Sequence, residues 1–224
     1  MSLGRHARGL AAAFAIGVAA LTAPAARAAA PAPLPVRLAT RGDVLLATLD
    51  LSSVFVPSME HQLGNGLTNV IALWVAVLPE SGGEAEALYG RVIEILFDVW
   101  EETYTVVVKD ARAPAGIRVV LRDFAALRAF LSNVHDIDLG LVSDLPTGRF
   151  VIEARVEVNP VSKEQLQRTR EYIANPPAGA RPGGGASRSV LGAVASFLLR
   201  EPDPGTDVHR LRSRPFARSE VAAR

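Results

Sequence analysis

The chain contains no cysteine, which excludes structural disulfides, thiolate metal sites, a cysteine nucleophile and the lipidated cysteine of a bacterial lipoprotein. It has only two lysines, Lys109 and Lys163, beside an abundance of arginine. That imbalance reflects composition rather than a nucleic-acid footprint, which needs a concentrated basic face. Gly-x-Ser-x-Gly is absent, and Gly183-Gly184-Gly185 follows no strand and opens no phosphate-binding turn, so neither a serine-nucleophile elbow nor a nucleotide loop is expected. His61, His135 and His209 have no second histidine at metal-ligand spacing. There is no internal repeat at solenoid spacing. No cofactor and no metal are therefore expected, and the residues name no reaction.

What is present begins with an export pattern. Arg5 and Arg8 precede an apolar run from about Leu10 to Leu21, and Ala26-Arg27-Ala28 closes the stretch with small residues. Residues 1–28 read as a secretory signal peptide cut before Ala29, the run being too short to span a bilayer, which needs about 20 residues. A periplasmic or secreted protein, with no transmembrane span after cleavage, is expected. An exported chain without disulfides must hold itself together by its core. Residues 29–174 hold 13 basic and 19 acidic residues, a net −6, whereas residues 175–224 hold 8 and 4, a net +4. An acidic domain with a basic tail has no general attraction to nucleic acid.

The pattern predicts an α+β domain over 36–174, built on one mainly antiparallel, curved sheet of about six to eight strands with two or three packed helices. Residues 29–35 read as an Ala/Pro linker. Val36–Ala39 and Val44–Leu51 read as strands joined by a turn at Arg41-Gly42-Asp43, a tripeptide that also spells a cell-adhesion motif but supplies the Gly and Asp a turn needs. Pro57–Gly64 has a short helix's proline start and glycine end. Leu67–Leu78 is apolar on both faces and reads as a central strand. Arg91–Lys109 alternates throughout and has no Gly, Asn or Pro after Asp98 to make a tight turn, so one continuous, bent strand is expected, with two paired strands as the alternative. A loop with Pro114 leads to the strand Ile117–Arg122. Asp123 caps a helix with Phe124, Leu127 and Leu131 on one stripe. Ile137–Val142 is a strand, and Phe150–Val158 alternates cleanly as a half-buried one.

Beyond Asn159, Ser162 with Gln165 and Val161 with Leu166 form a capping box and hydrophobic staple that start a surface helix to about Ala174. Residues 175–188 read as a flexible Gly/Pro linker, 189–199 as a short apolar helix, and 200–224 as a disordered basic tail.

Trp100, Tyr104, Asp98 and Glu102 are the candidate ligand-binding residues, since aromatics on a partly polar face suit a groove. Leu191, Val194 and Leu198 are the candidate partner-binding residues. His135-Asp136-x-Asp138 has the look of a polar loop as much as of a ligand set for a divalent ion. The pattern Phe97-Asp98-Val99-Trp100-Glu101-Glu102-x-Tyr104, Asn159-Pro160-Val161-Ser162 opening a helix that ends at Asn175-Pro176, and Ser213-Arg214-Pro215-Phe216 resemble a group of uncharacterised exported proteins of Gram-negative bacteria. The resemblance covers residues 40–216 and implies export, with no catalytic residue, because the group has no assigned activity. Three functions remain in view. The first is a non-catalytic envelope protein binding a protein partner through a sheet edge, the 162–174 helix or the 190–199 segment. The second is a carrier of a lipid or other apolar ligand, marked by a cavity beside Trp100, and the third is a hydrolase using carboxylates near Asp98 and Glu102.

Overall fold

The computed structural model describes residues 31–159 and 207–223. The expected signal peptide, the 162–174 helix, the 175–188 linker and the 189–199 segment with Leu191, Val194 and Leu198 lie outside the described residues.

Twelve strands and two α-helices are described: β1 Ala32–Pro33, β2 Val36–Arg41, β3 Val44–Asp50, α1 Glu60–Leu63, β4 Asn69–Pro79, β5 Ala87–Asp98, β6 Thr103–Asp110, β7 Ala113–Leu121, α2 Phe124–Ser132, β8 Asn133–Leu141, β9 Arg149–Val158, β10 Asp207–Arg212, β11 Phe216–Ala217 and β12 Ala222–Ala223. They form two sheets rather than the single one expected. One runs in the order β1-β10-β9-β4-β5-β6-β7, with β11 also paired to β9, and the other runs β12-β2-β3-β8. Pairing is antiparallel except where β1 meets β10 and β12 meets β2. The class is α+β and the sheets are dominant.

The alternation of each strand sends one set of side chains between the sheets. Leu45, Ala47 and Leu49 of β3 and Val134, Ile137 and Leu139 of β8 meet Ile71, Leu73, Val75 and Val77 of β4 and Ile152, Ala154 and Val156 of β9 in one continuous core. The α2 helix adds Leu127 and Leu131 to it. That helix starts where Asp123 accepts a hydrogen bond from the Ala126 amide at 2.7 Å, as its sequence predicts. Gly42 takes the left-handed turn between β2 and β3 with φ 61°, so Arg41-Gly42-Asp43 serves as the expected turn. The short helix at 57–63, begun by a 3₁₀ turn at Pro57–Met59, is also where the sequence puts it, and β4 is central as expected, between β5 and β9.

Four further expectations fail. Arg91–Lys109 is a hairpin of β5 and β6, paired from Arg91 with Asp110 to Asp98 with Thr103. Pro114 lies within β7 rather than in a loop, which is tolerated because β7 is the sheet's edge and its outer side needs no amide donor. Strand β9 is not half-buried: Arg155 and Glu157, on its outward side, are 3% and 2% exposed and form an ion pair at 2.5 Å. Finally, the tail forms strands at 207–212, 216–217 and 222–223, and residues 32–33 of the linker form another. Leu211 and Phe216 are buried, with Phe216 6.1 Å from the Phe150 ring. Leu34 is buried as well and donates its amide to the Arg212 carbonyl at 2.9 Å.

A polar cluster closes one end of the space between the sheets. Tyr89 donates to Asp110 Oδ2 at 2.9 Å, and the Arg91 guanidinium stands 3.4 Å from the same oxygen. Asp110 Oδ1 accepts the Arg112 and Ala113 amides of the β6–β7 turn at 3.0 and 3.1 Å. The Arg112 side chain then crosses to Asp138 of β8, tying the two sheets. Burial alone would raise the Asp110 pKa, but the Tyr89 hydroxyl, Arg91 and the two amides outweigh it and hold the carboxyl below its ordinary value. Burial pushes the Tyr89 hydroxyl up. On the outer side of the large sheet, Trp74 lies opposite Gly90. A Cβ at residue 90 would stand 2.8 Å from the Trp74 ring, so glycine is what lets the indole lie flat there.

Gly90→Ala should therefore lower stability by about 1–3 kcal/mol through overpacking, and urea denaturation reads this as an earlier midpoint at unchanged slope; an unmoved midpoint would contradict the packing. Because the Asp110 carboxyl is depressed in the fold, its contribution is present above roughly pH 4, the unfolded value, and is lost as pH falls through the lower folded value. Asp110→Asn should flatten the fall of stability on the acid side of about pH 4, measured by urea titrations at stepped pH. A slope identical to that of the unchanged chain would remove Asp110 from the account.

Candidate functional site

The sequence-predicted ligand residues all fall on the β5–β6 hairpin, and its turn explains why no glycine is needed. Asp98 ends β5, and its Oδ1 accepts the amides of Trp100 at 2.9 Å and Glu101 at 3.1 Å. An aspartate that bonds the backbone two and three residues on makes the turn itself. Glu102 then takes the left-handed conformation, φ 51°, that returns the chain into β6. The loop 99–102 is thereby held in one shape by hydrogen bonds within the hairpin.

That shape puts Trp100 into solvent. Its side chain is 90% exposed, Val99 beside it is 56% exposed, and Leu67 of the neighbouring loop is 68% exposed. The neighbouring loop is close: a Cβ at Gly66 would stand 3.4 Å from Val99 Cγ1. It has its own built-in turn, the Leu67 amide donating to Asn65 Oδ1 at 2.9 Å. Leu96, near the end of β5, is also exposed. The tip therefore carries an apolar knob, with the carboxylates of Glu101 and Glu102 beside it and that of Asp98 engaged in the turn.

Tyr104 does not belong to this surface. It is 3% exposed, its ring 4.7 Å from Phe97 and 6.4 Å from Phe124. Burial pushes its hydroxyl pKa up, with the nearby carboxylates of Glu60 and Asp123 adding to the effect. Trp100 and Tyr104 are thus separated into surface and core, and the groove that would have held them side by side is not formed. Glu94, which shares a strand face with Asp98, pairs with Lys109 at 3.0 Å. The carboxylates of this stretch are accordingly engaged in an ion pair, engaged in a turn, or placed in the loop.

The other polar stretch is also accounted for locally. Asp136 pairs with Arg41 at 3.4 Å and Asp138 pairs with Arg112, so the carboxylates of His135-Asp136-x-Asp138 face arginines. Among the described residues no group of three His, Asp or Glu side chains is placed to hold a metal ion. No helix among them is long and apolar enough to cross a membrane.

Sequence reasoning missed Val99, Glu101 and Leu67 as parts of the tip. The available signal was Asp98 two residues before a tryptophan: an aspartate that caps its own turn projects the next residues outward. No protein-family model, curated protein or solved structure matches the chain.

Relief of the left-handed glutamate offers a check on the turn. Glu102→Gly should stabilise the protein by roughly 0.5–1 kcal/mol, because the side-chain penalty at positive φ exceeds the chain-entropy cost of glycine. A lower thermal midpoint for this variant would mean that the turn has another conformation in solution.

Proposed function

We propose that this chain is a non-catalytic protein of the bacterial envelope, exported to the periplasm or beyond, that binds a protein partner through the tip of the β5–β6 hairpin. Trp100 carries the proposal: a tryptophan 90% exposed on a loop fixed by the Asp98 carboxylate. A large apolar side chain held in solvent costs free energy unless something covers it. Tryptophan is also the residue most often found at the energetic centre of protein interfaces. Rigid presentation reduces the ordering cost of binding. The Val99 and Leu67 side chains widen the knob, and Glu101 and Glu102 select against an anionic surface. The matching surface is an apolar pocket with a cationic rim on a folded protein.

A carrier of apolar ligands would need an enclosed cavity beside Trp100, and a loop tip in solvent supplies none. A carboxylate-dependent hydrolase would need two free carboxylates facing one reacting centre, whereas Asp98 is committed to backbone amides.

The test uses the two tryptophans, one buried and one exposed. A partner isolated from envelope extract with the full chain should quench or blue-shift the Trp100 emission, leaving that of Trp74 unchanged. Trp100→Ala should weaken its binding by 2 kcal/mol or more, about thirtyfold, while the urea midpoint stays put. A specific, saturable partner that binds Trp100→Ala as tightly as the unchanged chain would refute the tip as anchor.

A further inference from the structure

A second surface lies away from the hairpin tip. An open groove of about 750 Å³ runs where the chain passes from one sheet to the other, between the Pro33-Leu34-Pro35 link, strand β2 and the 212–216 segment. Its walls are stiff, since Pro33, Pro35 and Pro215 all line it and proline fixes its own φ. Leu34 and Phe216 supply a buried apolar floor.

The charges lining the groove divide cleanly. Asp50 accepts the Ser52 amide at 2.9 Å. Glu220 accepts the Ala217 amide at 3.2 Å and stands 3.5 Å from Arg149. Arg212 pairs with Glu153 at 2.5 Å. The two that remain, Arg37 and Arg214, are exposed and have no hydrogen-bond or ion-pair partner among the described residues. Three arginines thus outnumber the Asp50 and Glu220 carboxylates in the lining, and the two without a partner among the described residues are guanidinium, whose planar fork matches a carboxylate.

The backbone adds a second requirement. The Asp50 amide donates to the Pro35 carbonyl at 3.0 Å, and antiparallel pairing alternates the direction of backbone groups along a strand. Val36 and Leu38 consequently turn their amides and carbonyls away from β3. On that far side β12 pairs with Ala39 and Thr40 through the Leu38 carbonyl and the Thr40 amide, so among the described residues β2 keeps an open edge at the Val36 amide and carbonyl and the Leu38 amide. An open edge is a template for another extended chain.

We infer that this groove binds an extended acidic peptide segment of a protein, which adds as a short strand along Val36–Leu38 and places carboxylates on Arg37 and Arg214. Main-chain hydrogen bonds to β2 fix the direction of the peptide, and the arginines select acidic sequence; this is strand addition with charge readout. The site is independent of the Trp100 tip, so either can fail without the other.

The experiment is a titration of the full chain, at about 0.15 M salt where surface attraction is screened beyond roughly 8 Å, with a fluorescein-labelled Glu-Val-Glu-Val-Glu-Val peptide and its Lys-Val counterpart. Saturable binding of the acidic peptide alone is expected, with the Val36 and Leu38 amide resonances shifting in nitrogen–proton correlation spectra. Arg37→Glu/Arg214→Glu should weaken it at least tenfold; both side chains are exposed and have no partner among the described residues, so the fold should survive. Should the double variant not fold, Arg37→Gln in the same titration should still weaken binding severalfold. Equal binding of the two peptides, or acidic-peptide binding unchanged by these variants, overturns the site. Acidic-peptide binding that leaves the Val36 and Leu38 amides unmoved and is displaced by inorganic phosphate overturns it as well, since it would reduce the groove to a site for free anions.

Discussion

Strand β4 has no polar face to offer water. Ile71, Leu73, Val75 and Val77 point into the space between the sheets and Ala72, Trp74 and Ala76 point the other way, and all are buried. A strand covered on both sides must be internal, which is why it lies between β5 and β9 and why the large sheet is built outward from it. Each fully buried aliphatic side chain contributes about 1.5–3 kcal/mol, whereas exposed ion pairs such as Arg41–Asp136 contribute about 0–1 kcal/mol. In a chain without disulfides, this buried strand is what the other pairings lean on.

Polar groups inside the fold act on register rather than on bulk stability. Asn159, with φ 49°, donates its side-chain amide to Asn69 Oδ1 at 2.7 Å and accepts the Val70 amide at 2.8 Å. One residue thereby pins β9 to the start of β4. The Tyr89, Arg91 and Asp110 cluster does the same for β5 and β6 at the opposite end of β5. Sliding either pair by one residue would separate these groups and leave them buried without partners, a cost of about 1–3 kcal/mol for each neutral group and more for charges. The apolar pattern already resists a slip, since each residue would turn to the other face, and the polar contacts sharpen the alignment where β4 is apolar on both faces.

How much could be read beforehand depended on how local the cause was. The β2–β3 turn, the Asp123 cap and the two-faced burial of β4 are written within a few residues, and each is found where the sequence puts it. The hairpin at 98–103 was legible only to someone who lets an aspartate side chain replace a glycine. Missing that moved Trp100 from a strand face to a loop tip and Tyr104 from a groove to the core, so one turn decided the fate of most of the candidate site. The short strands β1, β11 and β12 leave no periodic trace, since two residues cannot show a period. They exist because Leu34 and Phe216 find apolar surface and because neighbouring strands have open backbone groups. Burial of Arg155 and Glu157 was equally hidden, as alternating charge on a strand ordinarily marks a wet face.

The pairing of β1 with β10 and of β2 with β12 has a consequence for assembly. Ala32 pairs with Leu211 in one sheet, and Ala39 pairs with Ala222 in the other. Each sheet is thus completed by a strand far along the chain from its partner. Contacts of such long sequence separation form slowly, because chain must be closed over before they yield anything. Until β10 and β12 are in place, β9 and β2 each keep an edge without those partners. Residues 207–223 thus act as a latch, one segment that finishes an edge of each sheet.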